Sequence, residues 1–212
     1  MPEQNVFSDE NLDGVDEVLG EVGFMSVANK SPCTIYRKRS QGKNFFTEDI
    51  DIYITGEIEH PSLYTEVFHT LRTASEKLNI TIHVNSTGGD LLTTLQMCAA
   101  MKASKANIHC NIEGLCLSAA TLIFFAADTR SVDDFSFFLF HTYSSSLPLR
   151  KSHELSAQIA HDTVWVKSLL EKSYIPYLSK EEINDILAGK DLWMDKTEIT
   201  KRINRVGEKK RR

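Results

Sequence analysis

Three short stretches hold groups suited to acyl transfer: "NSTGGD" (85–90), "NIEGLCLSAATLIFFAAD" (111–128) and "DFSFFLFHTYS" (134–144). The second sets one hydroxyl, Ser118, between a glycine-led apolar stretch and a longer apolar run. A serine becomes a nucleophile when a base takes its proton and donors hold the oxyanion that forms. At a helix start the backbone N–H groups are unpaired and the dipole favours negative charge. There the Ala119 amide would sit beside a developing oxyanion. The Gly89 amide would supply a second donor, each worth about 3–4 kcal/mol to the transition state. His141 is the candidate base, and a carboxylate must orient its ring.

Each of these residues also has a plain structural reading. Ser118 alone reads as a helix N-cap, Gly88–Gly89 as a turn, and His141 as one of seven histidines with no task. On the residues themselves both readings stay open.

The order of elements would bring the three stretches together. "DIDIYITGEI" (50–59) alternates Ile50, Ile52 and Ile54 with Asp51 and Tyr53 and predicts a strand. A helix follows over 63–78, then a strand over 80–86 and a helix over 91–103. In that second helix Leu92, Leu95, Cys98, Ala99 and Lys102 share one face. "ANIHCNIEG" (106–114) predicts a third strand with apolar residues on both parities, as in a parallel strand buried on both sides. "SAATLIFFAAD" opens another helix, and 134–144 reads as a strand ending near His141. Alternating strands and helices indicate parallel pairing through crossover helices, an α/β fold in one domain. Ligands in such sheets bind beyond the carboxyl ends of the strands, where Gly89, Ser118 and His141 fall. A long helix over 152–178 and a shorter one over 180–187 complete the chain.

Composition narrows the classes. The chain has 212 residues, 42% hydrophobic and 25% charged, an ordinary soluble balance. Residues 1–24 hold seven acids and no base, which leaves the remainder about +2 of a net −5. That start reads as a solvated arm, and Lys209–Arg212 as a basic terminus rather than a nucleic-acid site. Residues 1–47 are taken as acidic arm and lead-in, 48–206 as the folded domain and 207–212 as the tail. Cys33, Cys98, Cys110 and Cys116 lack metal spacing, and reduced thiols suit a cytoplasmic chain. No apolar core precedes the first base, Lys30, so no secretory leader is expected. The longest apolar run, Ala119 to Ala127 broken by Thr121, is too short to cross a bilayer. Zinc, nucleotide-phosphate and dinucleotide motifs are missing, and neither metal nor cofactor is expected.

"ITIHVNSTGGD", "IEGLCLSAAT", "FFLFHTYS" and "KDLWMDKTEI" occur in the order and approximate spacing of one family. From residue 48 to 206 the chain resembles the Clp protease proteolytic subunit (ClpP) family of serine peptidases. Gly89 to Ser118 is 29 positions, Ser118 to His141 is 23, and His141 to Asp191 is 50, close to the family's separations. The resemblance implies the layered ClpP/crotonase-like fold with a mostly parallel sheet and a protruding long "handle" helix. It makes Ser118 the nucleophile, His141 the general base and Asp191 the orienting acid, with Asp185 and Asp195 as rivals. The amides of Gly89 and Ala119 become the oxyanion donors.

It further implies a peptide or protein substrate, a homo-oligomeric ring, single or stacked in two, and an ATP-driven AAA+ unfoldase as partner. Neither nucleic acid nor membrane is expected. Departures include Thr87, Asp90, Cys116, Ala119–Ala120, Thr142–Tyr143 and "SSSLPLRKS" in place of a glycine-rich lead into the handle. They suggest a divergent copy, viral or organellar. Two alternatives stand beside the unfoldase-coupled peptidase: a virus-encoded peptidase processing capsid or scaffold proteins without an unfoldase, and an inactive structural ring subunit.

Overall fold

Three isoleucine-rich strands align so that their apolar residues form rows. In register, Ile50, Ile80 and Ile108 lie side by side, then Ile52, Ile82 and Cys110, then Ile54, Val84 and Ile112. All nine are at most 1% exposed. Each such side chain removed from water contributes about 1.5–3 kcal/mol, so the rows form the base of the core. The computed structural model describes residues 32–41, 46–143 and 151–207. The acidic arm, most of "SSSLPLRKS" and the basic tail Lys209–Arg212 lie outside the described residues.

The strands are β1 (Cys33–Gln41), β2 (Phe46–Ile58), β3 (Asn79–Gly89), β4 (Asn107–Leu117), β5 (Thr129–Val132), β6 (Phe137–Phe140) and β7 (Leu192–Asp195). They make one sheet in the order β1-β2-β3-β4-β6-β7, with β5 also on β4. Pairing is parallel from β2 to β6 and antiparallel at both ends. α1 (Thr65–Thr73), α2 (Leu91–Ala103) and α3 (Ala120–Ala126) follow β2, β3 and β4 as expected of crossovers.

Several expectations shift. The helix expected over 63–78 is a 3-10 turn at Pro61–Tyr64 followed by α1. β1 lies within the predicted lead-in; apart from Cys33 and Ile35 it is too polar to signal a strand. β5 and β7 are four residues each, too short for a periodic pattern. β4 is buried on one side only: His109 and Asn111 lie on the other face, where Ser131 Oγ reaches both. On that face His83 lies between Glu113 (2.5 Å) and Asp51 (3.4 Å) and stacks on Tyr53. α2 buries Thr93, Thr94, Met97, Ala100 and Met101, whereas Leu92 is 68% exposed. Apolar residues surround this helix, so periodicity could not select the face. Asp90 fixes where it starts, its carboxylate accepting from the Thr93 amide at 2.6 Å.

β4 forks. Its first part, His109–Ile112, pairs with β5, and its last, Leu115–Leu117, pairs with β6. Gly114 marks the division, with φ at +135°. Ser136 spans it: the hydroxyl donates to Ile112 O and accepts from Gly114 N, both at 3.1 Å. Above the fork an aromatic cluster joins α3, β6 and α4 (Ser152–Tyr174), with Phe125 against Tyr177 at 4.3 Å and Phe140 against Tyr174 at 5.3 Å. α4 buries Val166, Leu170 and Tyr174 at four-residue intervals, while residues 153–165 are mostly exposed, so its first half protrudes. α5 (Lys180–Leu187) and α6 (Lys196–Val206) are clamped by Arg202, which binds Glu182 at 2.7 and 2.8 Å and Glu198 at 2.8 Å. That clamp fixes α6, and through it β7, which precedes it directly.

Ser136→Ala is expected to lower stability by about 1 kcal/mol, because the partly buried Gly114 N–H at the fork loses its acceptor. Urea denaturation should show the midpoint fall at unchanged slope.

Candidate active site

The end of β3 and the end of β4 meet back to back. Gly88 (φ +86°) and Gly89 (φ +140°) close β3, and the turn is pinned by Ser86, whose hydroxyl donates to Gly56 O (2.6 Å) and accepts from Gly88 N (3.1 Å). A Cβ on Gly88 would lie 2.6 Å from Leu117 O, 2.8 Å from Ser118 Cβ and 3.0 Å from Ala119 N. On Gly89 it would meet Ile58 O at 2.2 Å. Only glycine fits at either place, for reasons of space as well as φ.

Ser118 occupies the facing turn with φ at +53°, a left-handed conformation that costs a non-glycine residue about 1–2 kcal/mol. Its amide donates to Leu139 O (2.9 Å), extending the β4–β6 pairing one step. Its carbonyl accepts from Thr121 N (3.1 Å) and Thr121 Oγ1 (2.6 Å). The hydroxyl itself binds no described residue, and α3 begins from Ala119 without a side-chain cap. Ser118 is therefore not the N-cap that its position before a helix suggested. Strained backbone with an uncommitted hydroxyl is the arrangement found where serine is presented at a strand-to-helix turn.

Ser118, Ala119, Gly89 and His141 line one cavity of about 370 Å³. Apolar side chains complete its lining: Leu91 and Leu92 from α2, Leu122 from α3, and Val166, Leu169 and Leu170 from α4. The Ala119 amide falls between the two bonded amides of the turn, those of Ser118 and Thr121. Cys116, two residues before the serine, is fully buried; burial pushes its thiol well above the ordinary range, so it offers no competing thiolate.

Asp191 does not line the cavity; it directly precedes β7, as His141 directly follows β6. β6 and β7 pair Phe138 with Met194, Leu139 with Trp193 and Phe140 with Leu192. The ladder ends there, one residue short of His141 on β6 and of Asp191 on β7. The rivals are engaged elsewhere: Asp185 pairs with Lys190 (2.8 Å), and Asp195 caps α6 through Glu198 N (2.8 Å). Asp191 has no partner among the described residues, and no hydrogen bond there joins Ser118 to His141 or His141 to Asp191. The α4 wall, with Tyr174, and Tyr143 were not anticipated from sequence. Their signal lies only in which face of a long helix is apolar.

The sequence profile of the Clp protease family matches residues 38–201. No curated protein matches the sequence. Among solved structures, a peptidase from Plasmodium falciparum is similar at a TM-score of 0.55 and 13% identity, over 72% of this chain and 91% of that one. At that identity the likeness is one of fold.

Gly88→Ala should destabilise the protein well beyond Gly56→Ala. Both have positive φ, but a Cβ at Gly56 meets nothing within 4 Å. Thermal melts of the two variants separate crowding from backbone strain; equal losses would place no weight on the contact with the serine turn.

Proposed function

The chain belongs to the Clp protease family, and on that premise we propose that it is a serine endopeptidase acting through an acyl-enzyme. Ser118 Oγ attacks the scissile carbonyl while His141 takes its proton. The amides of Gly89 and Ala119 hold the oxyanion, and His141 then protonates the leaving amine and later activates water. Asp191 holds the imidazole in the required tautomer and stabilises its protonated form. The observation that carries this reading is Ser118 itself: an uncommitted hydroxyl on a left-handed turn, in one cavity with His141. Hydrogen bonds between catalytic groups commonly tighten only when substrate arrives.

The proposal extends to a homo-oligomeric ring in the cytoplasm, served by an ATP-driven unfoldase. Exposed apolar surface favours self-association: Phe135 is 95% exposed, Val164 72% and Trp193 55%. The four free cysteines suit a reducing compartment.

One observation favours a second reading, an inactive ring subunit: the three candidate side chains are not hydrogen-bonded to one another. A fluorophosphonate probe decides between them. The wild type should be labelled and Ser118→Ala should not; an unlabelled wild type supports the inactive subunit. With a cleavable peptide, Asp191→Asn should lower kcat by about 10⁴. Asp185→Asn should leave it near wild type, and the reverse order would move the acid's role.

A further inference from the structure

Two residues outside the proposed triad and oxyanion donors converge on the nucleophile turn. Thr121 Oγ1 lies 2.6 Å from Ser118 O and 2.7 Å from Tyr174 Oη. Tyr174 is 3% exposed and stands at the last turn of α4, 53 positions along the chain from Thr121. A carbonyl only accepts, so the single Thr121 proton goes to Ser118 O. Tyr174 must then donate to Thr121, which gives the directed chain Tyr174 O–H to Thr121 O–H to Ser118 C=O. A threonine bonding back to a carbonyl three residues earlier is by itself an ordinary helical habit. The second bond, from a buried phenol on another element, is not local and polarises the first.

We infer that Thr121 and Tyr174 are positioning residues that aim the Ala119 amide into the catalytic cavity, an inference that rests on the serine-peptidase reading above. The peptide joining Ser118 to Ala119 is planar, and in the trans form its C=O and N–H point in opposite directions. Holding the Ser118 oxygen with both Thr121 groups therefore fixes the direction of the Ala119 N–H on the far side of the same plane. Nothing else described grips that carbonyl. Oxyanion donors act through placement fixed before the reaction, so a small rotation of this plane lowers the rate without weakening the encounter. The device also ties the amide to α4, whose C-terminal half walls the same cavity.

The test measures fluorophosphonate labelling against probe concentration, so that the maximal rate and the half-saturating concentration separate. Thr121→Val keeps the shape and removes the hydroxyl. Its maximal rate should fall about tenfold or more with the half-saturating concentration unchanged, and Thr121→Ser should restore it. Tyr174→Phe should lower the same rate by less. The double variant T121V/Y174F should label no more slowly than T121V, because Tyr174 acts only through Thr121. An unchanged maximal rate in T121V, or losses that multiply in the double variant, overturns the inference. If T121V does not fold, Y174F decides alone, and an unchanged maximal rate in it counts against. A wild type that is not labelled at Ser118 overturns the underlying serine-peptidase reading, and the inference with it; a labelled wild type with equally fast variants overturns the inference alone.

Discussion

Two backbone turns packed without an intervening side chain set the geometry on which the site depends. Gly88 lies so close to Leu117, Ser118 and Ala119 that even a methyl group would overlap. That contact fixes the separation between the turn ending β3 and the turn carrying the serine. It therefore sets where Gly89 and Ala119 stand relative to each other. The strain at Ser118 is tolerated because its neighbours over-determine it: Leu139 holds its amide, Thr121 its carbonyl, and Gly88 its back. A well-packed interior transmits such constraints because it has little free volume to absorb them.

The Ile/Val rows and the covering helices stabilise the sheet, but the opposite face of β2 to β4 is built differently. There Lys38 pairs with Asp51, His83 lies within hydrogen-bonding reach of Asp51 and Glu113, and Ser131 joins Asn111 to His109, a network across the strands. Polar groups in contact satisfy one another on that side, while burial alone drives the other. One-sided burial of this kind is more familiar in antiparallel sheets than in parallel ones. It explains how three strands with strict alternation can pair in parallel.

The alternation in "DIDIYITGEI" and "ITIHVNS" made β2 and β3 legible, because a period of two in isoleucines has few other meanings. The bounds of α2 were equally clear, since Asp90 starts it and Ser104 follows it, but its rotation was not. Apolar residues all round a helix carry no directional signal. The candidate site was readable as three chain positions, Gly89, Ser118 and His141, since each ends a strand. Asp191 was reached by resemblance alone; four-residue β7 leaves no pattern, and its place beside β6 is a long-range pairing. The state of the Ser118 hydroxyl could not be read at all. An N-cap and a free nucleophile share the same local sequence and differ in one backbone angle.

The fork at Gly114 divides responsibility for the site in a way that local motifs conceal. The strands bearing Ser118, His141 and Asp191 run together above it as one short shelf, whereas Gly89 belongs to a strand rooted in the larger sheet. Yet Ser86 still pairs with Cys116 past the fork, and Gly88 abuts the serine turn, so the shelf cannot tilt independently of the end of β3. The two turns and the shelf can shift only as one body, while β5 stays behind with the larger sheet.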